Sequence, residues 1–311
     1  MVGQETRRAS GRVTHFRHFA AIDWSGAAGE RHKGIAIAIC DGAEQGEQHA
    51  PVPRLVRRNR DWSRTEALQF LQDELPDDTL VGLDLGMALP FMDAGAFFPD
   101  WPESPPDARS LWAMVDDICA DNVDLGVGSV VDHPELCRYF RRHGGREGAQ
   151  FHLPGATHRR GRFRLTEEAQ ARMGCKPYSN FNLVGAAQVG KASLSGMRML
   201  HRLAGTLPVW PVDPLPDTGS VVVEIYTALA AIAGGRRAGA SKIRTGAELN
   251  QALACLGSDS IVHDGAIDDH SADAIVTAAW LRKVANNPQF WSPKALTIKI
   301  ARTEGWTFGA V

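Results

Sequence analysis

Four segments of the chain place an acid where chemistry can use one. Asp23 closes the apolar run AAID, Asp84 closes VGLD, and Glu224 closes VVVE. Asp269, His270 and Asp273 fall together in DDHSADAI, late in the chain. Parallel strand ends gather at one edge of a sheet, and that edge is where such sheets bind ligands. Several carboxylates without basic neighbours are costly to ionise together. A hard divalent cation relieves that cost, because Mg2+ or Mn2+ takes oxygen ligands. A pair of such ions can activate a water and stabilise a leaving phosphate oxygen. The candidate catalytic set is Asp23, Asp84, Glu224, His270 and Asp273. The candidate metal ligands are Asp23, Asp84, Glu224, Asp269 and Asp273.

Each of these residues also has a plainer role. Asp23 can be a turn residue, and Glu224 can pair with an arginine. Asp268 and Asp269 suit the start of a helix, where the dipole favours acids, and Asp268 is read in that way. Asp273 resists such a reading, because it sits in the apolar stretch DAIVTAAW. His270 lies three residues before it, a spacing that brings helical side chains together.

The elements that must position these residues follow from periodicity and punctuation. Apolar runs predict strands over 18–23, 34–40, 52–57, 79–85 and 220–224. Ser63 followed by Glu66 is a capping-box pattern and opens a helix running to about Glu74. Further helices are expected over 108–120, 134–142, 184–203, 225–233, 245–255 and 268–285. In the last of these Ala272, Ile275, Val276, Ala279 and Ala285 share a face. The Pro- and Trp-rich stretch 90–106 is expected to be irregular. Three closely spaced strands form a meander, and the next two are reached through helices, which favours parallel crossovers. The expectation is an α/β domain: a mixed five-stranded sheet flanked by helices, with a long helical and basic insertion over about 90–180. Residues 1–17 are read as a flexible arm, and 18–311 as a single domain.

Composition sets limits. The 311 residues are 44% hydrophobic and 23% charged, with a net charge of −2, an ordinary globular balance that excludes a uniformly basic coat. Five scattered cysteines form no CxxC pair, so reduced thiols in a cytoplasmic protein are expected. No apolar run reaches the ~18 residues of a membrane span, so no membrane partner is expected.

The segments AIDWSG, GLDLGMALP, VVEIY and DDHSADAI together resemble a large family of domains of unknown function predicted to be ribonuclease H-like nucleases. HSADA is also similar to the closing helix of RuvC-type Holliday-junction resolvases. NLVGAAQVGKASLSGM and EGWTFG are similar to segments of the same family, so the resemblance spans about 18–309. It implies a ribonuclease H-like fold with Asp23, Asp84, Glu224 and Asp273 around Mg2+ or Mn2+. His270 or Asp269 would be a further ligand or base. Resolvase-like relatives imply a homodimer by analogy. The chain departs from the family pattern in having Trp-Ser-Gly after Asp23, no proline after Asp84 until Pro90, and Ile-Tyr-Thr after Glu224.

Basic clusters recur at Arg54, Arg57, Arg58 and Arg60, at Arg138, Arg141, Arg142 and Arg146, and at Arg236, Arg237, Lys242 and Arg244. The insertion carries His158, Arg159, Arg160, Arg162 and Arg164. Arg159, Arg160, Arg162, Arg164 and Lys191 are the candidates for phosphate contacts, which give salt-dependent affinity without sequence choice. Trp62, Trp101, Trp112 and Trp210 are read as core or wedging residues rather than base-stacking platforms.

Three functions remain open on these grounds. The first is a divalent-metal-dependent nuclease acting on DNA or RNA. The second is a non-catalytic scaffold for nucleic acid or a protein. The third is an actin- or sugar-kinase-like phosphotransferase using ATP, because IDWSGA and LDLGMA resemble Asp-x-Gly phosphate loops.

Overall fold

A computed structural model describes residues 16–43, 49–156, 159–185, 189–237, 242–263 and 265–311. The strands in chain order are β1 (His18–Asp23), β2 (Ala36–Asp41), β3 (Arg54–Leu55), β4 (Thr79–Asp84), β5 (Arg141–Arg142), β6 (Arg146–Glu147), β7 (Val209–Trp210) and β8 (Val221–Glu224). Six of them form one sheet in the order β3-β2-β1-β4-β8-β7, and β5 and β6 form a separate hairpin. The meander β1-β2-β3 is antiparallel. The strands β1, β4, β8 and β7 are mutually parallel. This is the expected mixed sheet with one strand more, a two-residue edge too short to leave a periodic signal.

The helices are α1 (Arg64–Gln69), α2 (Ala108–Ile118), α3 (Gly128–Asp132), α4 (Leu165–Arg172), α5 (Val189–Arg202), α6 (Thr227–Ala233), α7 (Gly246–Cys255), α8 (Asp269–Val284), α9 (Pro288–Trp291) and α10 (Ile298–Thr303). Ser63 and Glu66 make both bonds of the expected capping box at the start of α1. Helices cover both faces. On one, Ile22, Leu83 and Val222 of the sheet pack with Leu111 of α2 and Leu194 and Met197 of α5. On the other, Ala21, Ala38 and Val223 pack with Leu229 of α6, Leu253 of α7 and Ile275 of α8. The helix α8 lies across β1 and β2. It is buried all round from Ala272 to Leu281, not on one face alone, because α6 and α7 cover the side away from the sheet.

Other expectations need correction. The helix expected over 134–142 is instead a short turn followed by the β5–β6 hairpin. Gly144 and Gly145, with φ of 71° and 72°, supply the left-handed residues that a tight turn needs. The helix expected from 184 begins at Val189, and residues 186–188 lie outside the described residues. Of the expected arm, residues 1–15 lie outside the described residues. Phe16, by contrast, is buried and stacks on Trp291, and Arg17 pairs with Asp78. Trp62, Trp112 and Trp210 are buried, as their reading as core residues requires. No helix among the described residues is long and apolar enough to cross a membrane.

Candidate active site

Asp23 and Asp84 are direct register partners on the adjacent parallel strands β1 and β4. Two residues back along each strand, Ala21 and Gly82 are partners as well. Ala21 belongs to the core beneath α8, and side chains alternate with period two. Both aspartates therefore point to the α8 side of the sheet. They stand where the chain order reverses, with β2 leading away on one side and β8 on the other. That crevice is the usual ligand site of an open α/β sheet.

The first turns of α8 complete the cluster. Asp268 caps the helix by accepting the Ser271 amide at 2.8 Å, as read from the sequence. His270 and Asp273 follow on the inward side. The Nδ1 of His270 lies 2.8 Å from Asp23 Oδ2, and Lys242 Nζ donates to Asp273. Thr227 Oγ1 donates to Asp84 at 3.2 Å. Asp269 stays at the margin, 3.8 Å from Arg244.

Burial and crowding of like charge dominate the electrostatics. Burial pushes the Asp84 carboxyl up to about 8, and Asp23 and Asp273 add to the shift. Burial also raises Asp273, against the pull of Lys242. The hydrogen bond to Asp23 holds the His270 imidazolium above its ordinary range. The buried carboxylates Asp23 and Asp273 and the half-buried Asp84 thus share one ammonium and one imidazole.

Glu224 is not a member of this group. It stands opposite Leu83 rather than Asp84, and Leu83 faces the other core. A one-residue offset sends a side chain to the opposite face of a sheet. There both its oxygens are saturated. Arg164 donates to Oε1 at 2.6 Å and to Oε2 at 2.8 Å. The Met87 amide adds a bond to Oε2 at 2.7 Å, and Thr307 donates to Oε1. The plainer reading of Glu224, pairing with an arginine, is the one the geometry favours.

The same contacts correct two of the phosphate candidates. Arg164 is 1% exposed and is committed to Glu224, Glu167 and the Glu304 carbonyl. With one arginine serving two carboxylates, burial pushes Glu167 up to about 7. Arg162 is equally buried, held by Asp93 and by the carbonyls of Pro90, Ala96 and Phe97. Both guanidiniums have their donors spent on the protein's own carboxylates and carbonyls, although Arg164 and Glu224 also line the cleft beside Asp84. Arg159 is exposed. Arg160 is half-buried against Tyr178 and donates to the Pro177 carbonyl at 2.9 Å. Lys191 is half-exposed in the first turn of α5. His158 lies outside the described residues.

A cleft of about 350 Å3 opens beside the aspartates. Its walls include Trp24 to Ala27 after β1, Leu85 and Gly86 after β4, Val189 and Ala192 of α5, and His270. Two glycines make this close approach feasible. A Cβ on Gly26 would lie 2.2 Å from the Ala192 amide nitrogen, and one on Gly86 would lie 2.2 Å from the Asn180 side chain. Arg64, buried beneath, holds the first loop by donating to the carbonyls of Ser25 and Ala27.

Among the described residues, no group of three or more His, Cys, Asp or Glu side chains is arranged to hold a metal ion as it stands. Lys242 and His270 occupy Asp273 and Asp23 instead. In donor chemistry Asp23, Asp84 and Asp273 fit a hard divalent cation: three carboxylates largely withdrawn from solvent oppose one another's ionisation.

Lys242 was grouped in sequence with a basic cluster, and nothing in its neighbourhood signals a partner 31 residues away. Thr227 carries no signal either, although it lies three residues after Glu224. No protein-family model, curated protein or solved structure matches the chain.

Proposed function

We propose that the chain is a divalent-metal-dependent nuclease of the ribonuclease H-like type, using Mg2+ or Mn2+ to hydrolyse phosphodiester bonds of DNA or RNA. The observation that carries this reading is the convergence of Asp23, Asp84 and Asp273 on one face at the end of parallel strands. The sheet is compatible with it: the antiparallel meander β1-β2-β3 continues into the parallel strands β4, β8 and β7, a mixed sheet flanked by helices as the periodicity predicts.

Asp23, Asp84 and Asp273 are the residues that would hold the metal. When bound, the metal supplies a Lewis acid that lowers the pKa of water and stabilises charge on phosphate oxygens. The chain's own contribution is orientation and proton handling. Asp23 fixes the His270 ring through Nδ1, which leaves Nε2 as the atom that exchanges a proton at the cleft. Thr227 orients Asp84.

The test combines Mn2+ binding, read by electron paramagnetic resonance, with cleavage of labelled DNA and RNA panels. The expected result is Mn2+ binding that Asp84→Asn abolishes, and cleavage lost with it. A wild-type chain that binds no Mn2+ and cuts no substrate would falsify the reading.

One observation favours a second reading, phosphotransfer from a nucleoside triphosphate. The glycine turns at Gly26 and Gly86 and the start of α5 line the same cleft, and such groups can cradle phosphates. Calorimetric binding of ATP with Mg2+, followed by phosphate transfer, would favour it over the nuclease.

A further inference from the structure

We propose that the groove between β3 and the start of α8 holds one sugar-phosphate strand of a nucleic acid and leads it to the aspartates, an inference that rests on the nuclease reading. The groove encloses about 490 Å3, and Lys33, Arg57, Arg58, Arg60, Ser271 and His270 line it. His270 also lines the aspartate cleft, so the two hollows meet at the side chain that Asp23 orients.

The charge of the groove is concentrated and available. All four of its cations are exposed, on a chain whose net charge is −2. Arg58 has a structural place, over the Trp62 ring at 4.5 Å and paired with Glu74. Arg60 is held loosely, 3.8 Å from Glu66. Lys33 and Arg57 have no ion pair among the described residues. Two acids also line the groove, Asp61 and Asp268. Asp268 accepts the Ser271 amide as the cap of α8, so its charge is partly spent on the helix end.

A phosphodiester strand fits this chemistry. It carries one charge per nucleotide, and guanidinium groups grip phosphate oxygens in pairs. The cations sit beside the groups proposed to cut a phosphodiester, not on a remote face. In sequence, the Arg57, Arg58 and Arg60 cluster was one of several equivalent basic runs. The fold singles it out by placing it against His270.

The test is fluorescence anisotropy with a labelled 12-mer oligothymidine and the full chain, titrated with salt in the absence of divalent ions. The triple variant Lys33→Gln, Arg57→Gln, Arg60→Gln is compared with wild type and with Lys294→Gln, an exposed cation outside the groove. Each lost phosphate contact lowers the slope of log affinity against log salt by about 0.7. The triple variant is therefore expected to lose about 2 from the slope, with unchanged Tm and unchanged Mn2+ affinity, while Lys294→Gln stays near wild type. An unchanged slope in the triple variant overturns the proposal. So does a poly-glutamate peptide that displaces the oligonucleotide at equal charge concentration, which would mark the groove as a protein-docking surface. A wild-type chain that fails to bind Mn2+ would overturn the nuclease reading, while the salt slope still decides the groove.

Discussion

Glu224 stands opposite Leu83, not Asp84, in the ladder between β4 and β8. That offset of one residue divides the strand-end acids into two kinds. Asp23 and Asp84 face α8 and share few cations. Glu224 faces away, and Arg164, Met87 and Thr307 satisfy it in full.

Asp84→Asn is expected to stabilise the metal-free protein while destroying activity. The carboxyl is pushed up to about 8, so near neutral pH it must take up a proton on folding, and the amide keeps the shape without that cost. A gain of about 1–2 kcal/mol is expected, read as a higher Tm in the presence of a chelator. A fall in Tm would mean that the carboxylate is already balanced.

Glu224→Gln is expected to do the reverse. It leaves Arg164 with half its charge partners in a fully buried place, at a cost of about 3 kcal/mol. Mn2+ affinity, measured well below the unfolding temperature, is expected to stay within a few-fold of wild type. A large loss of Mn2+ binding with little loss of stability would return Glu224 to the metal site.

Lys242→Met is expected to tighten Mn2+ binding by about tenfold. The ammonium holds Asp273, and its field also reaches Asp23 and Asp84, so it competes with any cation for those oxygens. Tenfold corresponds to about 1.4 kcal/mol, between the values of about 1 kcal/mol in water and about 4 kcal/mol near a protein surface for one charge pair about 4 Å apart. Titration of both proteins by isothermal calorimetry decides the point, and weaker binding in the variant would make Lys242 a supporting residue instead.

Acid stability is expected to depend on Asp124. Burial pushes its carboxyl up, but the His32 ring and the amides of Thr65 and Arg64 outweigh that and hold it below the ordinary range. A depressed folded value means that the stabilisation is present above the ordinary carboxylate range, near pH 4. It is lost as pH falls through the depressed value. Asp124→Asn is expected to cost about 2 kcal/mol at pH 7 and almost nothing at the acid end. Urea unfolding across pH gives the comparison, and a constant difference at all pH values would exclude this origin.

The strand-end acids and α8 were legible in sequence because their signals are local. An apolar run ending in Asp marks a strand and its edge, and DDHS marks a helix start. The side to which Glu224 points was not legible. It depends on the register of β8 against β4, set by chain segments far apart. Arg162 and Arg164 misled for a related reason. They sit in the basic run HRRGRFR, yet their partners Asp93 and Glu224 lie 69 and 60 residues away. The β5–β6 hairpin was read as a helix because two-residue strands carry no period.

The bond between Thr307 and Glu224 spans 83 residues. A growing chain lengthens at about 5–20 residues per second, so Glu224 exists for about 4–17 s before Thr307 is joined to it. Arg164 is made before either. The carboxylate of Glu224 therefore waits for its last donor after its arginine has been made, and its set of hydrogen bonds is completed in the order in which the chain is translated.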